Sequence, residues 1–122
     1  MPFTFANIDN RSALIRGQVF FDLASISAGE MPEEPMEAIK HSDMLHKYAE
    51  QLDAHKPTGN VSIENLRAPV PYPRNSYGVG LNYQLHIEEA ASETPLVPMV
   101  FTKFPSCISA PTSDVIMRSD EC

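Results

Sequence analysis

The residues best suited to chemistry lie late in the chain, where a histidine and a glutamate stand three positions apart. On a helix His86 and Glu89 share one face, so the carboxylate can reach the imidazole. A carboxylate that fixes the tautomer of a histidine raises its basicity, which suits a residue that activates water or moves a proton. A cation, Lys103, follows on an apolar stretch. On residue types alone, the alternative is a solvated ion pair on a surface helix.

The segments around these residues indicate how they would be positioned. A glycine-flanked run predicts a buried strand over 76–80, which leads through Asn82 into a short helix over 83–91. Glycines in such a strand let the backbone approach a ligand closely. Lys103 lies in a strand predicted over 97–104, where an unpaired ammonium would be costly. It either reaches solvent at the strand end or faces a polar pocket and an anionic group.

The first half of the chain predicts a small sheet and one helix. Apolar runs separated by turn residues predict an antiparallel sheet that ends near Asp22. A loop over 29–35 follows, and Ser42 is the predicted N-cap of a helix that ends at Lys56. Its apolar face comprises Leu45, Tyr48, Ala49 and Leu52.

A proline cluster predicts the domain boundary. Residues 69, 71 and 73 are all proline, which removes amide donors and indicates a connection rather than a core strand. We therefore predict an α+β fold class, with a small α+β domain over 1–68 and a proline-rich connection over 69–75. The first strands of a mostly β domain would occupy 76–122, with a last strand over 115–117.

The order Gly-x-Asn-Tyr-x-x-His-x-x-Glu, followed by Phe-x-Lys, resembles the start of the catalytic domain of the fumarylacetoacetate hydrolase family. The resemblance implies that His86 with Glu89 activates water or shuttles a proton, and that Lys103 stabilises an enolate or oxyanion. It implies that Asn82 and Tyr83 bind substrate, and that the first segment is the family's small N-terminal domain.

The same resemblance implies a reaction class and a cofactor. Complete members of the family bind Mg²⁺ or Ca²⁺, whose charge holds a 2-oxo or 1,3-diketo acid through its oxygens. They then catalyse carbon–carbon bond hydrolysis, isomerisation, hydration or decarboxylation. The motif does not choose among these reactions.

The sequence departs from the family pattern at the metal ligands. The family uses a Glu-x-Glu pair and a later aspartate, and none of these ligand positions exists in this sequence. Asp120 and Glu121 are adjacent and would point to opposite faces of a strand, so we interpret them as a solvated tail. We therefore expect an incomplete catalytic domain with little or no activity. The alternatives are a non-enzymatic short form that acts as a binding or assembly module, or a remnant of a disrupted gene.

Composition restricts the partners. Nine basic and sixteen acidic side chains give a formal net charge of −7, which disfavours nucleic acid. No apolar run approaches the roughly 20 residues of a membrane span, so we expect a cytosolic protein that acts on a small molecule, with a homodimer possible. Two cysteines, Cys107 and Cys122, are interpreted as reduced thiols. The spacing of His41, His46 and His55 favours surface positions over metal ligation.

Overall fold

A computed structural model of the chain describes residues 3–116. The chain divides into two compact units, Met1–Pro71 with Ser109–Cys122, and Tyr72–Ile108. The domain boundaries predicted from the sequence, 1–68, 69–75 and 76–122, stay a prediction. No helix within 3–116 is long and apolar enough to cross a lipid bilayer.

The first unit is built on a five-stranded antiparallel sheet with the order β4-β3-β2-β1-β5. Its strands are β1 (Thr4–Ile8), β2 (Arg11–Arg16), β3 (Val19–Asp22), β4 (Gly59–Asn60) and β5 (Leu66–Arg67). Asp9 and Asn10 join β1 to β2, with φ angles of 48° and 66°. These left-handed conformations match a tight hairpin turn, which aspartate and asparagine tolerate well. The predicted antiparallel sheet is therefore present.

Helices cover one face of this sheet. They are α1 (Leu23–Ile26), α2 (Pro35–Ala38) and α3 (Ser42–Glu50), with 3₁₀ turns at Leu52–Ala54 and Ile63–Asn65. The predicted apolar residues Leu45, Tyr48, Ala49 and Leu52 are all buried. The predicted helix end at Lys56 is wrong, since α3 ends at Glu50 and Leu52 begins a 3₁₀ turn. The predicted N-cap at Ser42 is wrong by one position. The Leu45 amide already donates to the His41 carbonyl at 3.0 Å, so the helix begins one residue earlier than its capping pattern indicated.

Alternation along the strands gives the sheet two apolar faces. Leu14 and Phe21 are paired across β2 and β3, and both lie in the larger cluster with Leu23, Met31 and the apolar face of α3. Ala6 and Ala13 are paired across β1 and β2 and lie in a smaller cluster on the other face. The predicted α+β class is confirmed.

A buried carboxylate ties the elements of this unit together. Asp22 Oδ2 accepts from Arg11 Nε at 2.7 Å, and Asp22 Oδ1 accepts from the Ser25 amide at 2.8 Å and caps α1. The Asp22 amide donates to Thr58 Oγ1 at 2.9 Å, next to β4. Burial alone would raise the pKa of Asp22, yet the hydrogen bonds from Arg11 and Ser25 outweigh it and lower that pKa.

The loop before α2 is bound to the same region. Ser12 Oγ donates to the Pro32 carbonyl at 2.6 Å, and the Ser12 amide donates to the Glu33 carbonyl at 2.7 Å. Arg11 Nη1 also contacts Glu33 Oε2 at 2.8 Å. The predicted loop over 29–35 is thus fixed to β2 by hydrogen bonds rather than by apolar burial alone.

The second unit is a two-stranded antiparallel ribbon with one short helix. It contains β6 (Tyr77–Gly80), α4 (Gln84–Glu89), β7 (Met99–Thr102) and a 3₁₀ turn at Pro105–Cys107. The strand predicted over 76–80 is present as β6. Its predicted burial is wrong, since Tyr77 is 61% exposed and Val79 is 48% exposed. In the part of the chain that the structure describes, the two strands pair with each other and with no third strand, so their side chains keep much of their contact with solvent.

Two further predicted boundaries change. The strand expected over 97–104 is reduced to the four residues of β7, between Pro98 and the 3₁₀ turn that Pro105 begins. Proline has no amide to donate, which ends ladder pairing. Val115 and Ile116 lie in no regular element, so the predicted last strand is not formed there. Met117, Asp120, Glu121 and Cys122 lie outside the described residues.

Close packing across the ribbon leads to a prediction. Gly78 pairs with Phe101, and a methyl group at Gly78 would overlap the Phe101 ring. We expect Gly78→Ala to displace the ring and destabilise the ribbon by about 1 kcal/mol. The matched control is Gly80→Ala, because a methyl there only approaches the mobile end of Met99, at 3.1 Å.

Amide hydrogen exchange at Val79 and Val100 measures the effect of both glycine substitutions. Gly78→Ala should accelerate exchange several-fold, while Gly80→Ala should leave it close to that of the unaltered chain. Equal acceleration in both variants would show that the Phe101 ring does not matter to the ribbon.

Candidate active site

The candidate site begins where β6 ends. Leu81 follows Gly80 with a left-handed φ of 50°, a conformation that is uncommon for a leucine. Tyr83 then adopts an extended conformation, and its carbonyl accepts from the amides of His86 and Ile87 in the first turn of α4. The strand end therefore turns sharply into the helix, and strained turns of this kind cluster at functional sites.

The predicted pair is present on α4. His86 Nδ1 lies 3.9 Å from Glu89 Oε2, three positions further along the helix. The two side chains are 59% and 84% exposed, so water screens their interaction. At 3.9 Å the two atoms are too far apart for a hydrogen bond, and the contact would have to shorten for the carboxylate to fix the imidazole tautomer.

An open cavity of about 440 Å³ lies beside the end of β6. Gly80 and Asn82 form one side of it, Gln84 and Ile87 of α4 another, and loop residues 94–98 a third. Asn82 is the predicted site residue that lines this cavity. His86, Glu89 and Tyr83 lie on or next to the same helix but point elsewhere, with Tyr83 and the His86–Glu89 pair exposed to solvent.

Lys103 lies at the other end of the ribbon. Its amide donates to the Ser76 carbonyl at 2.8 Å, whereas α4 follows Gly80 at the far end of β6. Gly80 is four positions beyond Ser76 along the extended strand, a distance of about 13 Å at 3.3–3.4 Å per residue. Lys103 is exposed just beyond β7, which is the strand-end position that the sequence left open as one of two alternatives. Within residues 3–116, no hydrogen bond or ion pair joins Lys103 to His86 or Glu89.

Lys103 shares its cleft with a cation that sequence analysis did not select. Arg74 lines the same cleft, of about 180 Å³, together with Ser76 and Thr102. One feature of the sequence could have pointed to Arg74. Basic residues are scarce between Lys56 and Arg118, where only Arg67, Arg74 and Lys103 occur. Pairing of β6 with β7 brings two of these three together, and that pairing could not be derived from the spacing in sequence.

The residues within 3–116 do not offer a metal site. No group of three or more histidine, cysteine, aspartate or glutamate side chains in that range is placed to hold a metal ion. The predicted surface positions of His41 and His46 are observed, and His46 packs edge-on against Phe3 with ring centroids 4.9 Å apart. Cys107 is a free, exposed thiol. We derive no chemical step through a metal for these residues.

The chain is similar in sequence and in structure to known proteins. The chain is 38% identical over 64 residues to the fumarylacetoacetate hydrolase domain-containing protein 2 homolog of Dictyostelium discoideum. A solved structure of a protein described as HpcE from Mycobacterium smegmatis superposes with a TM-score of 0.78 and 31% identity, covering 93% of this chain. The resemblance to the fumarylacetoacetate hydrolase family is confirmed. No protein-family model matches the chain.

The chain corresponds to part of these fumarylacetoacetate hydrolase relatives. It spans 21% of the length of the D. discoideum protein and 40% of the M. smegmatis chain. The described fold is that of a partial domain of the fumarylacetoacetate hydrolase type. The activity and substrates of the whole relatives therefore come to this chain only as proposals.

Proposed function

We propose that this chain carries the proton-transfer residues of a hydrolase or lyase centre that acts on 2-oxo or 1,3-diketo acids. The observation that supports it best is the His86–Glu89 pair on α4, directly after the strained turn at Leu81. The family resemblance adds the reaction class. Lys103 is included because the family pattern has a lysine there, and Asn82 and Tyr83 are proposed to contact the substrate.

In the proposed hydrolysis, His86 accepts a proton from water as its oxygen attacks the carbonyl carbon. The new carbon–oxygen bond forms while the carbonyl electrons move onto oxygen. Collapse of that oxyanion breaks the carbon–carbon bond and releases a carboxylic acid and an enolate. The enolate carbon then takes a proton from His86, which restores the neutral imidazole. Glu89 stabilises the imidazolium between these steps.

The proposal takes its metal dependence from the family. Fumarylacetoacetate hydrolase proteins are generally metal-dependent. Mg²⁺ or Ca²⁺ would polarise the substrate carbonyl in a complete protein. Because residues 3–116 offer no ligand cluster, the carboxylates that hold the ion would have to come from the part of the relatives that this chain does not span.

The proposal predicts a difference between two proteins. The 122-residue chain alone should show little or no turnover of an acylpyruvate in the presence of Mg²⁺. A chimera that joins this chain to the portion of the M. smegmatis protein beyond its match should turn the same substrate over. Steady-state assays of both proteins, with EDTA as the metal-free control, provide the test. Metal-dependent turnover by the isolated chain would contradict the first expectation, and an inactive but folded chimera would contradict the second.

A second candidate is a non-enzymatic binding or assembly module. It is favoured by the ribbon, in which Val100, Phe101 and Tyr77 are at least half exposed. Exposed apolar strands with free edges favour pairing with another chain. Size-exclusion chromatography with light scattering tests this candidate. A concentration-dependent oligomer would support it, whereas a monomer over the whole concentration range would count against it.

A further inference from the structure

Two cations meet in a cleft at the end of the ribbon away from α4. Arg74 precedes β6 and Lys103 follows β7, and the pairing of the strands places both in the wall of one cleft of about 180 Å³. The rest of the lining is polar and aromatic, and comprises Asn75, Ser76, Tyr77, Thr102, Phe104 and Pro105. Among the residues that the structure describes, 3–116, no carboxylate lines this cleft.

These two cations differ from most others in the chain. A carboxylate pairs with each of Arg11, Arg16, Lys40, Lys47 and Arg67. Within residues 3–116 neither Arg74 nor Lys103 forms an ion pair or a side-chain hydrogen bond. The contrast is informative because acidic side chains outnumber basic ones by sixteen to nine.

Two positive charges that line one cleft give it a positive potential, which attracts a small anion. Guanidinium and ammonium groups are the usual donors to carboxylates, and the nearby hydroxyls can donate as well. The rings of Tyr77 and Phe104 add apolar surface on which a planar ligand can lie. A carboxylate attached to a flat apolar group satisfies both parts of the cleft, while a fully hydrated phosphate satisfies only the charged part.

We propose that Arg74 and Lys103 form a binding site for a small carboxylate that carries a planar apolar group. The site lies at the far end of the ribbon from the His86–Glu89 pair. It requires no metal ion, because the positive charge is supplied by the two side chains. It shares Lys103 with the proposed function but uses neither His86 nor Glu89, so it does not depend on proton transfer by that pair.

The test is a titration of the isotope-labelled 122-residue chain with benzoate, followed by NMR in the presence of EDTA. We expect amide shifts confined to residues 74–77 and 102–105. Arg74→Gln and Lys103→Gln should each weaken the affinity about ten-fold or more, as expected for loss of a charge-assisted hydrogen bond. Lys40→Gln also removes one positive charge, from the first unit, and should leave the affinity unchanged.

Three outcomes would overturn the site. They are shifts that lie elsewhere in the chain or do not appear, equal affinity in Arg74→Gln and the unaltered chain, and binding of inorganic phosphate as tight as that of benzoate. The spectrum of each variant shows directly whether it is folded. Because the titration contains no metal and no reacting substrate, its failure leaves the His86 proposal untouched, and failure of that proposal leaves this result untouched.

Discussion

Replacing His86 by glutamine is expected to lower kcat of the active chimera by about 10²–10⁴-fold, the usual contribution of a positioned general base. Glutamine keeps a similar length and polarity but cannot accept the proton from water at neutral pH. His86 is 59% exposed and anchors no core, so its replacement should not unfold the second unit. Steady-state kinetics with an acylpyruvate measure the loss, and KM should change much less than kcat.

Matched substitutions separate this role from a general effect of losing a histidine. His46→Gln removes an exposed imidazole from α3 and should leave kcat within about two-fold, since the proposal gives His46 no part in proton transfer. Glu89→Gln should give an intermediate loss, because the histidine remains but its orienting charge is gone. A His86→Gln chimera that keeps full kcat would remove this residue from the mechanism.

Asp22→Ala is expected to destabilise the chain by about 2–4 kcal/mol, near the lower end for breaking a buried ion pair because Arg11 is partly exposed. The Asp22 side chain is 6% exposed, and its loss leaves the Arg11 guanidinium, the Ser25 amide and the start of α1 without their shared acceptor. Urea denaturation followed by circular dichroism measures the free energy of unfolding.

The control for Asp22 is Glu33→Gln, which removes the other carboxylate that contacts Arg11. Glu33 is 65% exposed, so its loss should change the free energy of unfolding by less than about 1 kcal/mol. If the two variants are equally stable, the buried network does not hold the first unit together.

The lowered pKa of Asp22 also predicts a pH dependence. A carboxyl group whose pKa is lower in the folded state stabilises the protein fully above its unfolded pKa, which is about 3.9. That contribution is lost as the pH falls through the folded pKa, which lies lower still. Stability of the unaltered chain should therefore decline below about pH 4, and the decline should be shallower in Asp22→Ala. Parallel pH profiles would show that other groups account for the acid sensitivity.

The first unit could be predicted well because its signals are local. Turn residues such as Asp9 and Asn10 separate the strands, and the spacing of Leu45, Tyr48 and Ala49 defines the buried face of α3. The network around Asp22 could not be derived in this way. Arg11 and Thr58 are far from Asp22 in sequence and meet it only after the sheet forms.

The second unit could be predicted less well from the sequence. The glycine-flanked run located β6 and the apolar stretch over 97–104 located β7. Their exposure was not predicted, because apolar residues indicate burial only where another layer covers them. The three-residue spacing of His86 and Glu89 correctly indicated proximity on a helix. Lys103 was grouped with this pair through the family pattern, and the antiparallel pairing places it at the other end of the ribbon.

His86, oriented by Glu89, is proposed to move a proton at a 2-oxo acid. The most direct measurement is the rate of deuterium incorporation at C3 of 2-oxobutanoate in D₂O, followed by NMR for the chimera and its His86→Gln variant. We expect rapid, enzyme-dependent exchange in the chimera and an exchange rate near that of buffer alone in the variant. Equal exchange in the two proteins would mean that the proton moves through another group, and the proposed role of the pair would be wrong.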